Sequence, residues 1–291
     1  MARVYFMPRS EQQHRDDIVH VGRLMFDKGW IAANDGNITI RLGADDGGGD
    51  RLLATPRGVS KGMLKPEDLV VVDLEGQKIS GALEVTTEIG MHLTIYKARP
   101  DVRAVVHAHP PTATGFAVAG RALNLGVLPE VIICLGSVPL AEYGLPGTPA
   151  FAEGMLPYIP KFDAMLLANH GAVAYGADVM RAFFRLDTVE HFARIALVAE
   201  LAGGARALPR AEIQKLFDAR PRYGVQSQNH FEPGWPLAAE DLPEPSEKLE
   251  ITREQLMAIV EEALKAREVF GQGPKSEKGN VSAPLRRVDR G

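Results

Sequence analysis

A single cysteine, Cys134, is all the thiol chemistry this 291-residue chain possesses. One thiol excludes an intramolecular disulfide framework and a cysteine-rich structural zinc cluster, since both need several sulfurs. No apolar run reaches the ~18 residues required to span a bilayer. The opening Met1-Ala2-Arg3-Val4-Tyr5-Phe6 has no long apolar segment of the secretory kind. A net charge of −4 offers no positive excess, so neither nucleic acid nor a membrane is expected as a partner. There is no internal repeat, and no His-Glu-x-x-His pair to point to a zinc hydrolase. What is left is an ordinary balance of 45% apolar and 24% charged residues. That suits one large domain, or one domain with an appendage. The cytoplasm is the expected compartment.

The informative residues are histidines. Ala104-Val105-Val106-His107-Ala108-His109 is an apolar run ending in two histidines one residue apart. Side chains alternate along a strand, so His107 and His109 would point the same way and could share one metal ion. A second apolar run, Met165-Leu166-Leu167-Ala168-Asn169-His170-Gly171, also ends in a histidine. A lone histidine on an apolar strand is usually a hydrogen-bonded core residue. Three of the chain's eight falling at strand ends describe instead three neutral imidazoles around a catalytic ion with one open position.

Hydrophobic periodicity gives a mixed α and β order. Ser10 and Gln13 form a capping box for a first helix whose stripe is Ile18, Val21, Leu24 and Met25. Ile38, Ile40 and Leu42 alternate with Thr39 and Arg41 as in a half-buried strand. A glycine-rich loop at 43–50 leads to strands at 51–55 and 69–74. Thr86 and Thr87 would cap a helix over 88–99, and Pro110-Pro111 end the His107 strand before a short helix at 112–118. Segments 131–135, 165–168 and 172–175 read as strands, and 178–201 as the longest helix, its apolar face carrying Met180, Phe183, Phe184, Phe192 and Ile195. Beyond about residue 205 the character changes. Helical patterns at 210–219 and 252–270 flank a Pro-, Asn- and Gln-rich stretch at 221–245, and 271–291 is polar and basic, as in a mobile tail. The expected division is therefore 1–205 as the catalytic unit and 206–291 as a C-terminal extension.

Beside a metal, Glu88 is a candidate general base, able to remove a proton from carbon or from bound water. Its place in the first turn of a helix equally suits a dipole-stabilising role, and spacing does not choose between them. Three segments could hold a phosphate through backbone N–H groups and hydroxyls: Gly36-Asn37, Thr55-Pro56-Arg57-Gly58, and Thr86-Thr87. His92, four residues after Glu88, shares its helical face; that allows a role in supporting Glu88 or a ligand, a structural hydrogen bond being the commoner reading. His191 reads as a packing or interface residue.

In chain order, Gly36-Asn37-Ile38-Thr39, Thr55-Pro56-Arg57-Gly58, Thr86-Thr87-Glu88, His107-Ala108-His109 and Asn169-His170-Gly171-Ala172 resemble the class II aldolase/adducin family, L-fuculose-phosphate aldolases among its members. The resemblance covers about residues 10–205. It implies a three-layer α/β/α sandwich around a mostly antiparallel sheet, assembled as a homotetramer. It also implies His107, His109 and His170 as zinc ligands, with manganese or cobalt as substitutes, and Glu88 as the acid/base. Asn37, Arg57, Gly58, Thr86 and Thr87 match the positions that hold the substrate phosphate. The implied reaction is reversible retro-aldol cleavage of a sugar phosphate or related hydroxylated carbonyl compound through a metal-bound enediolate.

Three departures accompany the resemblance. Arg57 replaces a small hydroxyl residue before the loop glycine. No tyrosine matches the one that such aldolases send into a neighbouring subunit; Leu128-Pro129-Glu130 stands in that region. Glu130 is thus a candidate for binding a substrate hydroxyl or transferring a proton, a loop salt bridge being the equal alternative. The C-terminal extension is also longer than in the small aldolases. Decarboxylases of 2-keto acids and pentulose-phosphate epimerases of the same family use related chemistry, and a catalytically inert adducin-type interaction domain is the reading from a different class.

Overall fold

The computed structural model describes residues 9–43, 49–225 and 235–242. The helix expected at 252–270, the basic tail and the tip of the 43–50 loop lie outside these. Among the described residues eight strands form one sheet: β1 (Asn37–Leu42), β2 (Arg51–Ala54), β3 (Val70–Asp73), β4 (Lys78–Ser80), β5 (Ala104–Ala108), β6 (Leu140–Ala141), β7 (Ala164–Leu167) and β8 (Gly171–Gly176). Their order is β4-β3-β2-β1-β5-β8-β7-β6. Every pairing is antiparallel except β6 with β7.

Among the described residues seven α-helices accompany the sheet: α1 (Glu11–Asp27), α2 (Ile89–Ala98), α3 (Pro111–Val118), α4 (Pro129–Cys134), α5 (Pro149–Glu153), α6 (Val179–Leu201) and α7 (Arg210–Ala219). Strand alternation sorts the core into two clusters. Ile38, Ile40, Leu53, Val106, Leu166 and Ala174 face α1, α3 and α6, while Leu52, Val70, Val105, Met165 and Val173 face α2 and α5. The result is the expected three layers with a mostly antiparallel centre. Each fully buried aliphatic side chain contributes about 1.5–3 kcal/mol, and α1 alone supplies Ile18, Val21 and Met25 at 0% exposure.

The capping box at α1 forms as expected, with the Ser10 hydroxyl accepting from Gln13 N and the Gln13 side chain accepting from Ser10 N. Four local expectations are corrected. Residues 131–135 lie largely in α4 rather than in a strand, because Pro129 opens a helix and Ile132 packs on Ile213 and Ala238. Thr39 is fully buried rather than solvent-facing, because α2 covers that side of β1. The N-cap of α2 is Glu88 itself with no side-chain cap; the Thr86 hydroxyl accepts only the Glu88 N–H, at 3.4 Å. In α6 the buried stripe is rotated toward Val179, Ala182, Leu186 and Val189, leaving Phe184 56% exposed. Beyond 205, α7 packs on α4 through Ile213. No described helix is long and apolar enough to cross a membrane.

Candidate functional site

β5 lies between β1 and β8, and its register sets Asn37 opposite His107 on one side and Val173 opposite it on the other. The β7–β8 turn brings His170 to the same place, aided by Asn169 in the left-handed region at φ 56°, which asparagine tolerates better than most residues. The result is one cluster. The His107 and His170 rings stack with centroids 4.9 Å apart, and His109 meets both edge-on at 5.1 and 4.9 Å. Gly171 makes this approach possible. A Cβ there would lie 2.6 Å from Ala108 O and 2.6 Å from His109 Cδ2. Gly36 is similarly pressed on the strand, at φ 69° and with the His107 carbonyl 2.7 Å from where its Cβ would be.

The donor chemistry fits a divalent ion. His107 Nδ1–H donates to Ala172 O at 2.9 Å, so its Nε2 carries a bare lone pair. That Nε2 faces His170 Nε2 at 3.1 Å. The Nε2 of His109 is buried without a hydrogen-bond partner, while its Nδ1 lies 3.4 Å from Asp35 Oδ2. One nitrogen from each ring falls within 4.8 Å of the others, the only such group of three among the described residues. Burial lowers the His107 pKa to about 3 and lowers that of His109 as well. Neutral imidazole is the form that ligates.

Glu88 lies against the cluster. Its Oε1 is 2.9 Å from His170 Nε2, its Oε2 is 3.5 Å from His107 Nε2, and Asn37 Nδ2 donates to Oε2 at 2.6 Å. Burial pushes this carboxyl up, but the hydrogen bonds that His170 and the Asn37 amide offer its ionised form outweigh it and hold the group below the usual range. The side chain that would ordinarily cap α2 is turned to the histidines instead.

In front of the cluster is a cavity of about 200 Å³. Asn37, Arg57, Gly58, Thr86 and Thr87 all line it, with Glu88, His109 and His170 at its floor. An isolated bridge between Pro56 and Val85, with Arg57 N donating to Glu84 O at 2.8 Å, zips two of the candidate phosphate-holding segments together. The Asn37 carboxamide is committed elsewhere: it is 2% exposed and bonded to Glu88 and His92. Glu130 does not join the cavity and lies exposed in the first turn of α4. His191 is exposed on α6.

Three lining residues escaped the sequence reading, Asn34, Asp35 and Lys61. Asn34 and Asp35 immediately precede the Gly36-Asn37 segment. Lys61 is buried, and its Nζ donates to the carbonyls of Asn34 and, at 3.2 Å, Val59. Burial lowers its pKa to about 8, against the opposing fields of Asp35 and Glu88. A lysine three residues after a loop glycine carries no signal that it will be buried.

The chain is 32% identical over 216 residues to the 5-deoxy-D-ribulose 1-phosphate aldolase of Bacillus thuringiensis serovar kurstaki, covering 74% of this chain and 99% of that one. It is 32% identical over 193 residues to the 3-oxo-tetronate 4-phosphate decarboxylase of Pectobacterium atrosepticum, covering 65% and 86%. Among solved structures, an L-fuculose 1-phosphate aldolase superposes with a TM-score of 0.66 at 26% identity, covering 73% and 97%. Residues 16–197 match the family model described as the class II aldolase and adducin N-terminal domain, and the chain belongs to that family.

Proposed function

We propose that the chain is a zinc-dependent aldolase that reversibly cleaves a carbon–carbon bond in a sugar phosphate or related hydroxylated carbonyl compound. The observation that carries this reading is Glu88, whose carboxylate lies between three ligand-competent histidines and a cavity with cationic and hydroxyl-bearing walls. His107, His109 and His170 would hold the ion. A divalent ion there supplies Lewis-acid stabilisation of negative charge developing on substrate oxygens.

The chain's own groups supply the rest. Lys61 and Arg57 bring positive charge to the cavity, and Thr86, Thr87 and Gly58 bring hydroxyl and backbone donors, which suits a phosphate. In the synthetic direction Glu88 takes a proton from the carbon next to the ketone of a substrate such as dihydroxyacetone phosphate. In the cleavage direction the substrate hydroxyl gives its proton to the ionised Glu88 as the aldehyde forms, the bond's electron pair stays on the carbon next to the ketone, and Glu88 delivers that proton to the carbon.

A decarboxylase is the second reading, favoured by the 3-oxo-tetronate 4-phosphate decarboxylase relative. A homotetramer and a cytoplasmic location complete the proposal. The test is a panel of sugar phosphates and 2-keto acids, incubated with protein reloaded with zinc, manganese or cobalt. Two carbonyl fragments are expected. Carbon dioxide with no such fragments would replace the aldolase with the decarboxylase, and an inverted stereocentre would replace it with an epimerase. Failure to retain or take up any divalent ion would favour an adducin-type interaction domain.

A further inference from the structure

Behind Glu88, on the α2 face of the sheet, runs a line of buried polar groups that a hydrophobic core does not need. Four residues of helix advance about 6 Å, and two residues of strand about 6.8 Å. The i+4 series Glu88, His92, Tyr96 therefore keeps step with the i+2 series Asn37, Thr39 on β1. Asn37 Nδ2 donates to Glu88 Oε2 at 2.6 Å, and Asn37 Oδ1 meets His92 Nε2 at 2.5 Å. His92 Nδ1 meets the Thr39 hydroxyl at 2.8 Å, and that hydroxyl meets the Tyr96 hydroxyl at 2.8 Å. Asn37 and Tyr96 are each 2% exposed, Thr39 and His92 0%.

Only one set of proton positions satisfies the line. Glu88 accepts, so Asn37 must present its amide to Glu88 and its carbonyl oxygen to His92. His92 then carries its proton on Nε2, and its bare Nδ1 accepts from Thr39 O–H. Thr39 Oγ1 in turn accepts from Tyr96 O–H, which also lies 3.1 Å from the Thr39 carbonyl. Burial lowers the His92 pKa to about 4, so the imidazole is neutral and has one proton to place. Every donor points toward the carboxylate. A half-turn of the Asn37 amide would set its oxygen against Glu88 and its nitrogen against an N–H.

We infer that His92, backed by Thr39 and Tyr96, is a positioning residue: it locks the Asn37 carboxamide in the one orientation that donates to Glu88, and so aims the carboxylate that moves the proton. The Asn37 carboxamide thereby serves Glu88 with one of its two amide hydrogens. The functional consequence rests on the proposed role of Glu88, whereas the hydrogen-bond order does not, and the two are tested separately.

The order is tested on the full-length protein by nitrogen-15 NMR. His92 should be the neutral Nε2–H tautomer at pH 7, and the Asn37 side-chain amide resonances should move in Glu88→Gln and in His92→Leu. An Nδ1–H tautomer, or an Asn37 amide indifferent to both changes, overturns the inference. The consequence is tested on metal-loaded protein by deuterium uptake into dihydroxyacetone phosphate from D2O. His92→Leu should lower the maximal exchange rate about 10- to 100-fold, as loss of one hydrogen bond to a charged group implies. The half-saturating concentration and metal content should not change, and His92→Gln, which restores an N–H donor, should recover most of the rate. A rise in half-saturation, or equal loss in Gln and Leu, overturns the positioning role. No exchange by the wild type, with the NMR order intact, counts against the proposed substrate and leaves the alignment of Glu88 standing.

Discussion

The two faces of β1 are built for different purposes. Toward α1 and α6 the strand presents Ile38, Ile40 and Leu42, which pack among the buried apolar side chains of those helices. Toward α2 it presents Asn37 and Thr39, equally inaccessible to water, yet each is hydrogen-bonded to a side chain of α2. An apolar contact tolerates sliding and repacking; a line of donors and acceptors accepts only one arrangement. The first face holds the sheet together, and the second orients what the sheet carries.

The sharpest way to break this comparison is at the end of the polar line. Glu88→Gln should lower deuterium exchange into dihydroxyacetone phosphate by about 10²- to 10⁴-fold, the usual scale of a general acid–base contribution. Metal content by elemental analysis should be unchanged. Normal exchange in that variant would remove Glu88 from the chemistry.

Adjacent residues of one strand offer the next contrast. Ile40→Ala, on the apolar face, should cost about 2–5 kcal/mol in urea denaturation, with turnover per folded molecule preserved. Thr39→Val, nearly the same shape, should cost less stability and yet lower turnover. Equal behaviour of the two would mean that the faces do not differ in kind.

Acid offers the mildest contrast. His92 has a pKa lowered to about 4 from an ordinary 6.5, so above 6.5 it is neutral whether the chain is folded or not. Between 6.5 and 4 the unfolded chain binds a proton that the folded one refuses, and stability falls with falling pH. The share from His92 is on the order of 3 kcal/mol across that window. Urea midpoints measured from pH 7 to 4.5 should shift less in His92→Gln than in the wild type. An unchanged slope would mean that this imidazole titrates freely.

Much of the site was legible because ligand residues carry their own punctuation. His107 and His109 ended an apolar run, His170 preceded a glycine, and Glu88 followed two threonines, so local pattern named the candidates and the family resemblance gave them their roles. The polar line was not legible, because Thr39 looks like any outward residue of an alternating strand until α2, fifty residues later, covers it. The run at 131–135 failed for a related reason. Val131, Ile132 and Ile133 favour a strand locally, but Pro129 opens α4 and Ile132 meets Ile213 and Ala238 from beyond residue 205. Lys61 was missed because its burial is set by Asn34 and Val59 carbonyls, not by any neighbouring pattern.

Gly171 has one further consequence, for anyone redesigning this protein. With Ala108 O and His109 Cδ2 each 2.6 Å from where its Cβ would stand, the spacing of the histidine cluster is written into a residue that has no side chain. A combinatorial library that varies the cavity walls can be generous at positions 57 and 87, whose side chains face open space. At 171 it should return glycine alone, and a variant carrying anything else would need its β5–β8 register rebuilt before its substrate range could be discussed.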